Sequence, residues 1–134
     1  MKKKNFSKIA KKVIDLEIKA LQILKKNINK SFNQAVFQIA NCQSKVILCG
    51  VGKCAHIASK ISATLASVGT PAFSISASEA SHGDLGMISK KDILILISNS
   101  GETSELKNVI QYANRNKILL IGIVSKKDSI LYKA

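Results

Sequence analysis

The sequence predicts an α/β fold in which a parallel sheet of four strands follows two N-terminal helices. Short aliphatic runs alternate along the chain with longer amphipathic stretches, the pattern of strand, helix, strand units joined by long crossovers. Hydrophobic residues make up 46% of the 134 residues, but only 4% are aromatic and none is Trp. An aliphatic core of this kind is typical of helices packed on parallel strands. A chain of this length forms one such domain at most.

Residues 1–43 are predicted to form a helical segment. From Phe6 to Lys26 apolar side chains recur every three or four positions, which indicates an amphipathic helix. A second helix is expected to begin with Ser31 as its N-cap and to continue through Ile39. These two helices lead into the sheet.

Residues 44–134 are predicted to form the α/β domain. A helix that Gly69 ends joins the first two strands, and another joins the third and fourth. The stretch "ASEASHGDLGMISKK" before the third strand is expected to be a loop, or a short helix and a turn. The residues after Ser125 would begin a further helix. The apolar runs that mark the four strands are residues 45–49, 72–76, 92–97 and 117–125.

A net charge of +13 raises the possibility of a nucleic acid or anionic membrane as a partner. Of the 21 basic residues, however, only Arg115 is arginine, and arginine is the residue that base readout and phosphate clamps favour. Many lysines lie at helical spacing near the N-terminus, without an aromatic stacking platform beside them. A solvated helix face is therefore favoured over nucleic-acid binding. In either case, the basic surface would attract a small anionic substrate.

Cysteine usage and the N-terminal residues bear on the compartment. Cys42, Cys49 and Cys54 form no CxxC pair, and their odd number does not suggest a disulfide framework, so a reducing, cytoplasmic environment is expected. The charged start "MKKKNF" is followed by further charged residues instead of an unbroken apolar stretch. Neither a secretion signal nor a membrane span is therefore expected.

The two histidines give no metal template. The spacing of His56, His82 and the cysteines matches no known ligand set, so no metal is expected. His82 lies next to glycine and close to Asp84 in the polar stretch "SHGDLG". A lone loop histidine is more often structural or solvated than catalytic, and from the residues alone both roles stay open.

The polar stretch "ISNSGETSE" follows the third predicted strand. In open α/β sheets, ligands bind beyond the carboxyl ends of the strands. Ser98, Ser100 and Thr103 offer hydroxyls there, and the helix that follows supplies partly positive N–H groups that suit a phosphate. The same stretch would also make a well-capped helix, with Glu102 and Glu105 complementing its dipole. From the residues alone, these two interpretations are equally open.

The glycine turn "GVGKCA" after the first strand matches the dinucleotide fingerprint G-x-G-x-x-A. That fingerprint also requires an acidic residue at the end of the next strand, and "AFSISAS" has none, which argues against NAD. A P-loop is excluded because the glycine spacing differs and Cys54 stands where Ser or Thr is required. A glycine turn with Lys53 beside it still suits an anion.

Three stretches, "GVGKCAHIASKISATLASVGTP", "SEASHGDLGM" and "ISNSGETSEL", resemble in order and spacing the sugar isomerase (SIS) domain of arabinose 5-phosphate isomerases. The resemblance runs from about Lys45 to the end, and the preceding segment resembles the N-terminal helices of that family. It implies a three-layer, flavodoxin-like, doubly wound sheet. The fifth strand, C-terminal half and CBS domains of the family have no counterpart here, so the chain would be a C-terminally truncated member.

The resemblance implies interconversion of D-arabinose 5-phosphate and D-ribulose 5-phosphate for lipopolysaccharide (Kdo) biosynthesis, with activity impaired by the truncation. The alternative is a non-catalytic phosphosugar-binding or regulatory SIS module. Catalytic roles are implied for Lys53, His82 and Glu105, with Glu105 as the candidate base and Lys53 neutralising phosphate or enediolate charge. No cofactor is implied, and relatives form homotetramers, so a homo-oligomer is expected. Implied substrate contacts are Gly69, Thr70, His82, Ser98, Asn99, Ser100 and Thr103.

Overall fold

The computed structural model describes residues 5–80 and 83–134. The predicted α/β class, with N-terminal helices and four strands, is confirmed, and each strand lies within two residues of its predicted bounds. In chain order the elements are α1 (Phe6–Asn27), α2 (Lys30–Ala40), β1 (Val46–Gly50), α3 (Lys53–Ser67), β2 (Ala72–Ser76), α4 (Ala77–Ala80), a 3-10 turn (Asp84–Met87), β3 (Ile93–Ser98), α5 (Ser104–Asn116), β4 (Leu119–Val124) and α6 (Ile130–Lys133).

The chain divides into two compact units, Met1–Val36 and Phe37–Ala134. The division falls inside α2, whereas the sequence-based division was placed after it, at residue 43. The difference arises because Ile39 and Cys42 pack against the apolar side chains of the sheet. The end of α2 therefore belongs with the second unit.

The first unit contains α1 and the start of α2. The prediction that Ser31 caps α2 was wrong, because Ser31 lies inside the helix, which begins at Lys30. Its cap is Asn29, whose side-chain oxygen accepts hydrogen bonds from the N–H groups of Ser31 and Phe32 at 2.9 and 3.3 Å. The Ser31 hydroxyl also donates to this oxygen, at 2.7 Å. Asparagine and serine are comparable caps, so sequence preference alone could not choose between them.

All four strands are parallel, and their order across the sheet is β2-β1-β3-β4. From β1 the chain passes through α3 to β2 on one side, and from β3 it passes through α5 to β4 on the other. The direction of winding therefore reverses between β1 and β3. Helix α3 packs on one face of the sheet and α5 on the other, which gives three layers and the doubly wound order of flavodoxin-like folds.

Side chains of the central strands alternate between two apolar clusters. Every residue of β1 and β3 is buried, whereas β4 lies at the edge of the sheet and leaves Leu119 and Ile123 exposed by 41% and 49%. The α5 side buries Ile47, Cys49, Leu94 and Leu96 of the sheet with Leu106 and Val109; the α3 side buries Val46, Leu48, Ile93, Ile95 and Ile97 with Ala58.

One of these core residues is a cysteine. Burial raises the pKa of the Cys49 thiol to about 12, so this cysteine stays protonated and unreactive.

A buried ionic cluster lies at the amino edge of the sheet. Asp92 is only 1% exposed. Its carboxylate accepts hydrogen bonds from the Ser44 hydroxyl and the Ser89 N–H, both at 2.6 Å, and pairs with Lys45 Nζ at 3.0 Å. Burial raises the pKa of Asp92, but the hydrogen bonds from Ser44, Ser89 and Lys45 outweigh it, so the net pKa lies below the usual value. This cluster fastens the starts of β1 and β3 to each other.

We expect Asp92→Asn to lower the free energy of unfolding at neutral pH by about 1–3 kcal/mol, because it leaves the charge-assisted bonds of the cluster unmade. A carboxyl whose pKa is lowered by folding stabilises above its unfolded pKa of about 3.9, and this contribution is lost as the pH falls through the folded pKa. Urea unfolding from about pH 3 to pH 8 should therefore show a weaker acid dependence in the variant. Asp128→Asn, at an exposed aspartate, is the matched control, and equal stability of the two variants would contradict the prediction.

Candidate functional site

Two loops meet at the carboxyl edge of the sheet, where β1 and β3 lie side by side. Residues 50–53 lead from β1 into α3, and residues 98–104 lead from β3 into α5. Gly50 and Ile97 are register partners, so the two loops start at the same level. Because the winding reverses here, the two helices leave toward opposite faces of the sheet. Such a reversal creates the crevice in which open α/β sheets bind ligands.

Residues 98–103 of the second loop, where the sequence predicts an anion site, are called the phosphate loop below. Ser98 is 5% exposed; its hydroxyl accepts the N–H of Gly101 at 3.0 Å and lies 3.2 Å from the Thr103 hydroxyl. Ser100 accepts the N–H of Glu102 at 3.2 Å. The hydroxyls thus hold the loop in a tight turn at the start of α5.

Thr103 lies at the start of α5. It is the N-cap residue of the helix, yet its side chain makes no capping hydrogen bond. Its hydroxyl instead lies 3.2 Å from the Ser98 hydroxyl, within the loop. The partly positive N–H groups of the first turn of α5 suit an anion, so both a structural and an anion-binding role are compatible with this geometry.

Gly101 fixes the loop against the segment that follows β4. Its φ is +68°, and a Cβ at this position would overlap the Ser129 hydroxyl and lie 2.6 Å from both Ser129 Cβ and Val124 Cγ2. The Gly101 carbonyl accepts the N–H of Leu131 at 3.1 Å. Only glycine fits this close contact with a left-handed backbone.

Asn99 is exposed at the tip of the phosphate loop. Its side-chain oxygen accepts a hydrogen bond from the Ser125 hydroxyl at 2.8 Å, and its backbone carbonyl accepts the Ser125 N–H at 3.3 Å. The amide NH₂ of Asn99 takes no part in these two bonds. This arrangement orients the amide so that its nitrogen can donate to a ligand.

The first loop brings a lysine to the same edge of the sheet. A Cβ on Gly50 would lie 2.7 Å from the carbonyl carbon of Cys54, so glycine allows the first turn of α3 to pack directly on the strand. Lys53 is the first residue of α3 and is exposed. The first turn of α3 carries no acidic residue, so nothing in that turn neutralises the lysine.

Glu105 is the second residue of α5. Its pKa is lowered by a hydrogen bond from its own backbone N–H and then by one from the Ser104 hydroxyl, which is 2.8 Å away. A position at a helix N-terminus predicts this direction. The carboxylate is therefore ionised at neutral pH and able to accept a proton.

Two of the remaining predicted site residues lie elsewhere in the described structure. Gly69 and Thr70 precede β2, whose first residue, Ala72, pairs with Val46 at the amino end of β1. Strands of five residues span about 13 Å, so within one chain these two residues are at the opposite edge of the sheet from the phosphate loop. His82 lies outside the described residues.

Sequence reasoning missed residues 125–131, called the supporting segment below, which contacts the phosphate loop. Its only signal was its position after the carboxyl end of the fourth strand. Within residues 5–80 and 83–134, the His, Cys, Asp and Glu side chains form no group of three or more that could hold a metal ion. In the same ranges, no helix has the length and hydrophobicity needed to cross a membrane.

Residues 38–134 match the SIS domain family, and the chain belongs to this family. It is similar to arabinose 5-phosphate isomerase KdsD of Yersinia pestis, with 46% identity over 130 residues, which is 97% of this chain and 40% of the relative. RP505 of Rickettsia prowazekii, an uncharacterized protein, is 43% identical over 129 residues, or 96% of this chain and 40% of the relative. The chain thus spans about 40% of the length of these curated relatives.

The chain is also similar to solved structures. The structure of E. coli CFT073 c3406 in complex with arabinose 5-phosphate has a TM-score of 0.91 and 37% identity, covering 99% of this chain and 71% of that one. The phosphoheptose isomerase GmhA from Neisseria gonorrhoeae has a TM-score of 0.78 over 96% of this chain and 81% of its own, but only 15% identity, and supports the fold alone. The resemblance to the arabinose 5-phosphate isomerase family is confirmed.

Proposed function

We propose that this chain carries the phosphate-binding part of an aldose-ketose isomerase site, and that the reaction is the interconversion of D-arabinose 5-phosphate and D-ribulose 5-phosphate. The observation that carries the proposal is the meeting of the phosphate loop and the glycine turn at the point where the winding reverses. The similarity to KdsD enzymes and to a structure complexed with arabinose 5-phosphate supports the choice of substrate. On the basis of the same similarity, we also propose a role in lipopolysaccharide biosynthesis in the cytoplasm.

In the proposed complex, the phosphate lies over the N-terminus of α5. The hydroxyls of Ser98, Ser100 and Thr103 and the amide NH₂ of Asn99 surround it, and the first N–H groups of the helix face it. Lys53, at the start of α3, adds a positive charge from the neighbouring loop. Phosphate binding then fixes the position of the sugar carbons relative to the catalytic groups.

Isomerisation requires transfer of a proton between C1 and C2 through a cis-enediol. Glu105, ionised at neutral pH, would remove the proton from C2 of the open-chain aldose and return it to C1, while the hydroxyl proton on O2 passes to O1. Its lowered pKa makes it a weak base, so the developing negative charge on the substrate oxygen must be stabilised. Lys53 is proposed to provide this stabilisation, and His82 is proposed to assist ring opening.

Gly69 and Thr70 remain proposed substrate contacts, on the condition that a second copy of the chain takes part in the site. Because they lie at the opposite edge of the sheet from the phosphate loop, they would contact a substrate bound at the loops of a second copy of the chain. This requirement is consistent with the proposed homo-oligomer, which would be a tetramer as in relatives of this type.

The second candidate is a non-catalytic module that binds phosphosugars, with a regulatory role. Such a module would need the phosphate loop but no general base, and the lowered pKa of Glu105 makes that carboxylate a weak one. Calorimetry with ribulose 5-phosphate and a coupled isomerase assay on the same chain separate the two. Turnover supports the isomerase, binding without turnover supports the module, and absence of both contradicts each proposal.

We expect Lys53→Met to weaken binding of ribulose 5-phosphate by about tenfold, because it removes a positive charge that attracts the anionic phosphate. Lys60→Met is the matched control, since Lys60 lies on the same helix and its ammonium donates to the Thr64 hydroxyl at 3.2 Å. The control should bind as the unaltered chain does. Equal affinities of the two variants, measured by calorimetry, would remove Lys53 from the site.

A further inference from the structure

We propose that Glu102 is a positioning residue that holds the phosphate loop in its ligand-binding shape by tying it to the supporting segment. This inference rests on the proposed function of the loop. Glu102 does not itself contact the ligand in this proposal. It acts through its hydrogen bonds with the Ile130 N–H and the Ser100 hydroxyl.

The carboxylate of Glu102 is directed to the supporting segment. Its Oε1 accepts a hydrogen bond from the N–H of Ile130 at 2.9 Å, across 28 positions of sequence. Ile130 is the first residue of α6, and Ser129 caps that helix by accepting the N–H of Tyr132 at 3.3 Å. Glu102 therefore satisfies one backbone donor at the start of α6 that the cap leaves unpaired.

Two further contacts join the same two segments. The carbonyl of Gly101 accepts the N–H of Leu131, and Asn99 bonds to Ser125 through both its side chain and its backbone. With the bond from Glu102, the supporting segment contacts three of the six residues of the loop. Leu131 is 3% exposed and belongs to the apolar cluster on the α5 face, so it anchors this arrangement in the core.

Glu102 carries a negative charge within a loop that is proposed to bind an anion. A carboxylate within a phosphate-binding loop would repel the ligand if it faced the binding site. Here the carboxylate accepts a hydrogen bond from the Ile130 N–H, and the backbone N–H of Glu102 donates to Ser100 Oγ. Glu102 thus connects one of the proposed phosphate-binding hydroxyls to the supporting segment, and losing its carboxylate should loosen that hydroxyl.

The test compares Glu102→Ala with Glu102→Gln, because glutamine keeps a side-chain oxygen that can accept from Ile130. Calorimetry with ribulose 5-phosphate and, separately, with inorganic phosphate gives the affinities. Hydrogen exchange of the loop amides reports its rigidity. Asp128→Ala removes a carboxylate from an exposed position of the supporting segment and serves as the control.

We expect Glu102→Ala to weaken the binding of both ligands by about tenfold and to speed exchange of the loop amides, while Glu102→Gln and Asp128→Ala stay within about twofold of the unaltered chain. Rescue by glutamine supports positioning through the hydrogen bond. If the alanine variant melts at a lower temperature but binds both ligands with unchanged affinity, Glu102 is only structural and the inference is wrong.

Two other results would also overturn it. Tighter binding by both Glu102 variants would mean that the carboxylate acts by repulsion from the ligand. Equal weakening in both would assign the effect to its charge. Failure of the unaltered chain to bind either ligand would overturn the proposed function together with this inference, whereas binding by the unaltered chain with no change in the alanine variant overturns the inference alone.

Discussion

Gly101→Ala is expected to destabilise the protein by about 2–5 kcal/mol and to abolish phosphate binding. A left-handed backbone costs an L-residue about 1–2 kcal/mol, and overpacking adds about 1–3 kcal/mol. Both apply here, because φ is +68° and the new Cβ would overlap the Ser129 hydroxyl and crowd Val124. Relief of the overlap would move the loop away from the supporting segment, and with it the hydroxyls that are proposed to bind phosphate.

Urea unfolding measures the loss of stability, and calorimetry with inorganic phosphate measures the loss of binding. Gly86→Ala is the matched control, since a Cβ on Gly86 would meet no atom within 4 Å. Its stability should stay within about 0.5 kcal/mol of the unaltered chain. If Gly101→Ala resembled this control in both measurements, close packing of the loop would not be a determinant of the site.

Glu105→Gln is expected to lower kcat of the proposed isomerase by about 10²–10⁴-fold, with KM changed by only a few fold, because glutamine cannot accept the proton from C2. Glutamine still offers an oxygen to the Ser104 hydroxyl, so the start of α5 should be preserved. The effect is therefore confined to the chemical step.

The pH profile provides a second measurement for Glu105. Because the base must be ionised and its pKa is lowered, activity of the unaltered chain should persist until the pH falls below the ordinary glutamate value of about 4.3. Protonation then removes the base. Asp128→Asn, which neutralises an exposed carboxylate elsewhere, should retain full turnover. Comparable turnover by Glu105→Gln would show that another group moves the proton.

The sheet could be predicted because its central strands are buried on both faces. Val46 to Gly50 and Ile93 to Ser98 are apolar on both faces except for their last residues, and such runs are visible without any tertiary information. The start of α2 was placed wrongly because Asn29 and Ser31 are both adequate caps. The choice depends on which side chain reaches the free N–H groups, and this is a property of the folded backbone.

The candidate site was predictable only in part. Ser98, Ser100 and Thr103 lie next to each other in sequence and follow a strand, so local rules indicate a loop that could bind an anion. Only the structure shows that the side chain of the N-cap residue, Thr103, makes no capping hydrogen bond. The contacts of Glu102 with Ile130 and of Asn99 with Ser125 span 28 and 26 positions. Such contacts depend on β4 returning the chain beside the loop, and no local pattern records this.

The outer strand β4 has a consequence for the behaviour of the protein in solution. Among the described residues, β4 pairs only with β3, and its Leu119 and Ile123 side chains are half exposed. An outer strand with unpaired backbone N–H and C=O groups and apolar side chains can pair with an extended segment of another chain. At high concentration, we expect molecules to aggregate through β4. Dilute solution should therefore keep more of the chain unaggregated.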